Sequence, residues 1–232
     1  MNKPKTFVIA IDGPAASGKS STAHWVAQRL SLRYADSGAL YRAVTAARLR
    51  DGGERDAAKW TEADVLDSAR RRVRMTPSAQ AFVVELDGAA QEAEFRSPDV
   101  TARVSVVARM MGVRSWVNEQ MRDAATHGSI VVDGRDMGTA VFPEAAVKIF
   151  LVADPWERAR RRVMQALQRA PSDEEIAEET DLLVHRDAKD ALQTQQAPDA
   201  ILLDTTYLTQ EEQVDRIVAL ARTAATRGTE SG

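Results

Sequence analysis

The chain has 232 residues, 44% of them hydrophobic, with a formal net charge of -3 and no cysteine. That length and apolar content suit one large domain, or a core domain carrying a smaller insert. The lack of cysteine excludes disulfides, thiolate nucleophiles and sulfur-ligated metals and fits a reducing compartment, while the near balance of charge argues against bulk electrostatic capture of nucleic acid.

The opening MNKPKTFVIAID is basic and then apolar for only about six residues, too short for a signal peptide. No window approaches a membrane span, so a cytoplasmic protein that meets neither membrane nor nucleic acid is expected. TFVIAID (6 to 12) is the first candidate strand, followed by GPAASGKS, a helix from Lys19 to about Ser31, and a second strand, LRYAD (32 to 36). Residues 70 to 88, RRRVRMTPSAQAFVVELDG, read as two strands around a loop with no helix between them, and Ser97 with Pro98 opens a helix. Further strands are SIVVD (129 to 133), VKIFLV (147 to 152) and AILLD (200 to 204). Helix starts are signalled by Asp154, Pro155 and Glu157, by Ser172 with Glu175, and by Thr209 with Glu212. The polar tail TRGTESG is expected to fray.

Short β-branched runs alternating with long helical ones indicate an α/β domain with a mostly parallel sheet. The runs TFVIAID, SIVVD and AILLD are nearly continuous and end in Asp. Such strands are expected to be buried on both faces and to present carboxylates at the sheet edge where ligands bind.

GPAASGKS, Gly13 to Ser20, fits the G-x-x-x-x-G-K-[ST] pattern between a strand and a helix. Its glycines let the backbone turn amides inward around phosphate oxygens. Lys19 would add charge at the β- and γ-phosphates, Ser20 a hydroxyl for Mg²⁺, and the helix N-terminus its dipole. The loop binds a nucleotide without choosing a reaction. A switch GTPase would want an N/T-K-x-D guanine reader, and the only Asn-Lys pair is Asn2 and Lys3. A DNA-handling ATPase would want a basic face or an added domain. A kinase of a small phosphorylated acceptor needs an arginine-bearing second pocket and a mobile lid. DSGALYRA (36 to 43) offers Ser37 and Arg42. ERARRRVMQ (157 to 165) places Arg158, Arg161 and Arg162 on one helix face, either a solvated basic face or a lid that folds over phosphate. His24, His127 and His185 are scattered and suggest no metal site.

GPAASGKSS, DSGALYR, DGRDMGTAVFP, ERARRR and RDAKD, in this order and spacing, resemble the bacterial cytidylate kinases of the nucleoside monophosphate kinase family. The resemblance runs from about Phe7 to Arg222. It implies a P-loop NTPase core with a parallel sheet flanked by helices, a helical lid and an inserted monophosphate-binding lobe. The core would comprise residues 1–59 and 101–232, with the lid at about 155–192 and the lobe at 60–100. The implied reaction is ATP-dependent phosphorylation of CMP and dCMP, with Mg²⁺. No exposed apolar stripe stands out in the sequence, so a monomer is expected.

On this resemblance Gly13, Pro14, Ala15, Ala16, Ser17, Gly18, Lys19, Ser20 and Ser21 would hold ATP. Ser37 and Arg42 would grip the CMP side, and Ser105, Arg114 and Asp136 would address the cytosine edge. Arg135 would lie by the transferring phosphate, and Arg186 and Asp190 would meet phosphate and sugar. Lys19, Arg135, Arg158, Arg162 and Arg186 would surround the moving group, while Ser20 and Asp133 would serve Mg²⁺, Asp133 directly or through water. Two positions depart from the family pattern: Gln193 stands where an arginine is expected and Met121 where a glutamine is. A kinase for another small acceptor, and a regulatory or nucleic-acid-dependent ATPase, are the competing readings.

Overall fold

A computed structural model describes residues 6–230; the start through Lys5, with Asn2 and Lys3, and the last two residues of the tail lie outside the described residues. In chain order the elements are β1 (Val8–Asp12), α1 (Lys19–Leu30), β2 (Arg33–Asp36), α2 (Ser37–Arg50), α3 (Glu62–Arg72), β3 (Val73–Pro77), β4 (Phe82–Leu86) and the single turn α4 (Glu92–Phe95). They continue with α5 (Pro98–Val107), α6 (Met111–Thr126), β5 (Ile130–Gly134), β6 (Val147–Val152), α7 (Pro155–Leu167), α8 (Asp173–Asp190), β7 (Ile201–Asp204) and α9 (Gln210–Glu230). The chain forms two compact units, one made of the stretches up to Leu32 and from Val131 on, the other of Arg33–Ile130.

The first unit is α/β. Its strands lie in the order β5-β1-β6-β7, with β6 parallel to β1 (Ile9 opposite Val147) and to β7 (Ile149 opposite Ile201). β1 and β5 are buried along their whole length, and β6 at all but its last residue, as parallel strands covered on both faces must be. β7 departs from the expectation for AILLD: Ile201 and Leu202 are 43% and 55% exposed, and within the strand only Leu203 is buried. β7 ends the strand order, and an edge strand gains less cover than a central one.

Helices flank this sheet, α1 packing on α9, α9 on β6, and α7 pairing with α8 as a helical hairpin. Their starts follow the local chemistry. Asp154 accepts from the amides of Trp156 and Glu157, with Pro155 in the first turn. Ser172 and Glu175 exchange side-chain and backbone bonds reciprocally, as do Thr209 and Glu212. Each pair satisfies amides that a helix N-terminus leaves open. The tail is helical as far as Glu230.

In the second unit β3 and β4 form an antiparallel hairpin with Val73 opposite Leu86 and Pro77 opposite Phe82. This is the strand pair read from residues 70 to 88, except that Arg70 to Arg72 finish α3. That helix escaped sequence reading because its buried stripe is only Val65, Ser68 and Ala69. Arg50, Arg71 and Arg72 share Asp51, Asp87 and Glu94 in an ion-pair network joining α2, α3 and the residues around β4 and α4. Residues 60 to 100 lie within this unit together with α2, α5 and α6.

Candidate active site

The loop from Gly13 to Gly18 joins β1 to α1 at the C-terminal edge of the sheet. Gly13 (φ 149°) and Gly18 (φ 87°) adopt conformations open to glycine, and Ala16 is also left-handed at φ 56°. Lys19, the first residue of α1, is buried, and its Nζ donates to the carbonyl of Pro14 at 2.6 Å, across the mouth of the loop. Among the described residues no side chain caps α1. A helix N-terminus without a side-chain cap is suited to an anion.

The Ser17 hydroxyl is fully buried in this loop with no hydrogen-bond partner among the described residues. Such an orphan costs about 1 to 3 kcal/mol, which a phosphate oxygen would relieve. Ser20 Oγ donates to Asp133 Oδ2 at 2.6 Å, so the two residues predicted to serve Mg²⁺ meet as neighbouring hard oxygens. Among the described residues no group of three or more His, Cys, Asp or Glu side chains forms a metal cage. Mg²⁺ held largely by substrate phosphates and water needs only one or two carboxylates, so the Ser20 and Asp133 pair fits it.

After β5 the chain runs through Arg135 and Asp136 into a wide turn, in which the Phe142 amide reaches the Met137 carbonyl at 2.7 Å. Arg135 Nη1 donates to the Gly13 carbonyl at 2.7 Å, and Nη2 to Asp190 Oδ2 at 3.3 Å. Arg186 Nε lies 3.8 Å from the same Asp190 oxygen and, though buried, makes no hydrogen bond of its own among the described residues. Burial, with the neighbouring guanidinium of Arg135, lowers the Arg186 pKa from its usual value. Beneath the turn, Asp12 accepts from the amides of Met137 (2.8 Å) and Gly138 (2.7 Å). Burial lifts its carboxyl to about 6 against the pull of those two amides, and Asp136 adds to the rise.

The three arginines predicted to share one face of α7 go to separate partners. Arg158 is 4% exposed and donates to the carbonyls of Ala15 (2.8 Å) and Ala153 (3.1 Å) and to Asp187 Oδ2 (2.6 Å). Arg161 donates to the carbonyls of Thr205 and Thr206, and Arg162 pairs with Glu179 on α8 at 2.9 Å. Asp187 also accepts from the Ala15 amide at 3.1 Å, and Ala15 packs with Ala159, Ile176 and Leu183. The phosphate loop is thereby tied to the α7 and α8 hairpin. Asp12 and Asp187 were not singled out from sequence. The DGP and RDAKD contexts were visible, but nothing in them shows which backbone amides the carboxylates reach.

The remaining candidates lie in the second unit. Ser37 opens α2, whose N-cap Asp36 accepts from the Ala39 amide. Arg42 donates to the Phe95 carbonyl and Thr101 Oγ1, both at 3.1 Å. Ser105 sits on α5, and Arg114 on α6 donates to the Ala108 carbonyl.

A family model described as cytidylate kinase matches residues 9–223. The chain belongs to the cytidylate kinase family. It is similar to a cytidylate kinase of Limosilactobacillus reuteri, 42% identical over 92% of this chain and 94% of that one. It is also similar to a cytidylate kinase of Chlorobaculum tepidum, 40% identical over 93% of each. Among solved structures it is similar to a shikimate kinase from Bacteroides thetaiotaomicron, at 14% identity, with 94% of this chain and 99% of that one covered and a TM-score of 0.44. As a member of the cytidylate kinase family the chain is a nucleoside monophosphate kinase. No helix among the described residues is long and apolar enough to cross a membrane.

Proposed function

We propose that this cytidylate kinase family member transfers the γ-phosphoryl group of ATP, accompanied by Mg²⁺, to CMP and dCMP. The observation that carries the reading is the cation cluster beside the phosphate loop. Arg135 and Arg186 converge on the one carboxylate of Asp190, and Arg135 also reaches Gly13. Two guanidiniums on one carboxylate leave an excess of positive charge, which a phosphate or a transferring phosphoryl group would neutralise.

The residues divide the work. The loop from Gly13 to Ser21 and Lys19 Nζ would hold the donor phosphates, while Ser20 and Asp133 would hold the ion, which when bound neutralises charge on phosphate oxygens. Arg135, Arg162 and Arg186 would surround the moving group. Arg158 is already spent on Ala15, Ala153 and Asp187, so it holds the loop to the α7 and α8 hairpin and reaches phosphate only by exchanging partners. The acceptor is a phosphate dianion at neutral pH and needs no strong general base. Closure of the helical hairpin and of the lobe at 60–100 would keep water from taking the phosphoryl group.

Ser37, Arg42, Ser105, Arg114, Asp136 and Asp190 are assigned to CMP. Cytosine presents a donor amine at N4 where uracil presents an acceptor oxygen, so the Asp136 carboxylate matches only the former. Asp136→Ala is expected to narrow the CMP over UMP ratio of kcat/KM by about ten- to a hundredfold, the equivalent of one unmatched buried acceptor. An unchanged ratio removes Asp136 from base reading.

The test of the whole proposal is coupled ATP consumption with CMP, dCMP, UMP, AMP and shikimate as acceptors. CMP and dCMP should give the highest kcat/KM. A preference for AMP or shikimate, or hydrolysis stimulated by DNA or RNA without any monophosphate, would overturn it.

A further inference from the structure

We infer that Asp12 is the positioning residue that fixes the acceptor turn to the donor loop, its two carboxylate oxygens holding the turn that follows Arg135 and Asp136 against the strand that feeds the phosphate loop. The inference rests on the assignment of Arg135 and Asp136 to CMP made above.

Asp12 is the last residue of β1, and Gly13 begins the loop. Both of its side-chain oxygens are engaged by the turn, while the nearby Lys19 ammonium adds a favourable charge. One oxygen accepts from Met137 and the other from Gly138, at 2.8 and 2.7 Å, and all three residues are buried. Two successive amides on two oxygens of one rigid group fix the direction of the turn as well as its distance. A single bond would leave the turn free to rotate. The Arg135 bond to the Gly13 carbonyl fastens the same two segments a second time, one residue along on the loop side.

The space around the turn is closed on the same point. A Cβ on Gly138 would lie 3.3 Å from Asp12 Oδ2 and 3.3 Å from Lys148 Cδ. Lys148 is itself held by Asp199 at 2.8 and 2.9 Å. The side chain at position 12 therefore needs two acceptors. Asparagine offers one acceptor and one donor, so one of the two buried amides would face another N–H. The turn would then tilt to relieve it, carrying Arg135 and Asp136 off their aim. Displacements of about 1 Å at groups that align a substrate cost up to a hundredfold in rate.

The experiment is steady-state kinetics of Asp12→Asn, with CMP and UMP varied at saturating ATP and ATP varied at saturating CMP. We expect kcat/KM for CMP to fall about 10- to 50-fold and the CMP over UMP ratio to shrink, with KM for ATP within about threefold of wild type. A rise in KM for ATP as large as the loss toward CMP, or an unchanged CMP over UMP ratio, would overturn the inference. Should Asp12→Asn fail to fold, Gly138→Ala keeps the carboxylate and crowds it by a few tenths of an ångström. The same selective loss on CMP is expected there, and unchanged CMP kinetics count against Asp12. Asp136→Ala in the same assay separates the two ideas. If it leaves the base ratio unchanged, the base-reading assignment fails. If it narrows the ratio while Asp12→Asn and Gly138→Ala do not, only the positioning role fails.

Discussion

Lys19→Ala is expected to lower kcat by about 100- to 1000-fold or more, the usual effect of removing one preorganised charge from a transferring group. The Lys19 ammonium is buried at the start of α1 and is turned across the loop onto the Pro14 carbonyl, so its charge already stands at the loop mouth. Phosphoryl transfer depends on alignment and charge neutralisation more than on covalent chemistry, which leaves little else to compensate for the loss. Alanine has a high helix propensity, so α1 should persist. Far-ultraviolet circular dichroism and the melting temperature should stay close to wild type while coupled turnover disappears. Lys19→Arg should not restore it, because a planar fork does not replace a compact ammonium in so tight a loop. Wild-type turnover in Lys19→Ala would end the assignment of this lysine to the donor phosphates.

Gly13→Ala should damage stability and activity together. An added Cβ would stand 2.2 Å from the carbonyl oxygen of Leu151, which belongs to the adjacent buried strand β6 and cannot swing aside as a side-chain tip could. The backbone at φ 149° is a second obstacle for any L side chain. Combined overpacking and backbone strain should cost about 3 kcal/mol or more, which for a chain of this size lowers the melting temperature by roughly 6 to 12 °C. The loop must also shift, and with it the carbonyl that Arg135 uses, so ATP binding should weaken. A melting point within about 2 °C of wild type, with unaltered KM for ATP, would show that the strand gap relaxes more readily than its geometry implies.

Much of the frame was legible because it depends on short-range chemistry. GPAASGKS identifies itself by spacing, since glycines, lysine and hydroxyl so placed let loop amides, an ammonium and a helix N-terminus meet one phosphate group. Asp154 with Pro155, and Ser172 with Glu175, announce their helices because a cap is satisfied within three residues. The runs that became β1, β5 and β6 are apolar over most of both faces, and burial follows. AILLD carried the same signal yet became the half-exposed β7, because strand order is not written in a strand's own composition.

The same division holds at the site. The sequence by itself determined the nucleotide loop, the neighbourhood of DGRDMG at a strand end, and the supply of arginines around α7 and α8. Tertiary structure decided what each polar group is spent on. Arg158, Arg161 and Arg162 lie within a few residues of one another, but they bind Ala15 and Asp187, the loop after β7, and Glu179 respectively. Asp12 looks like one more strand-terminal acid until the Met137 and Gly138 amides, 125 and 126 residues away, are brought onto its oxygens. The reason is physical: capping and loop chemistry act over a turn of chain, whereas the partner of a buried charge is set by packing between segments far apart in sequence.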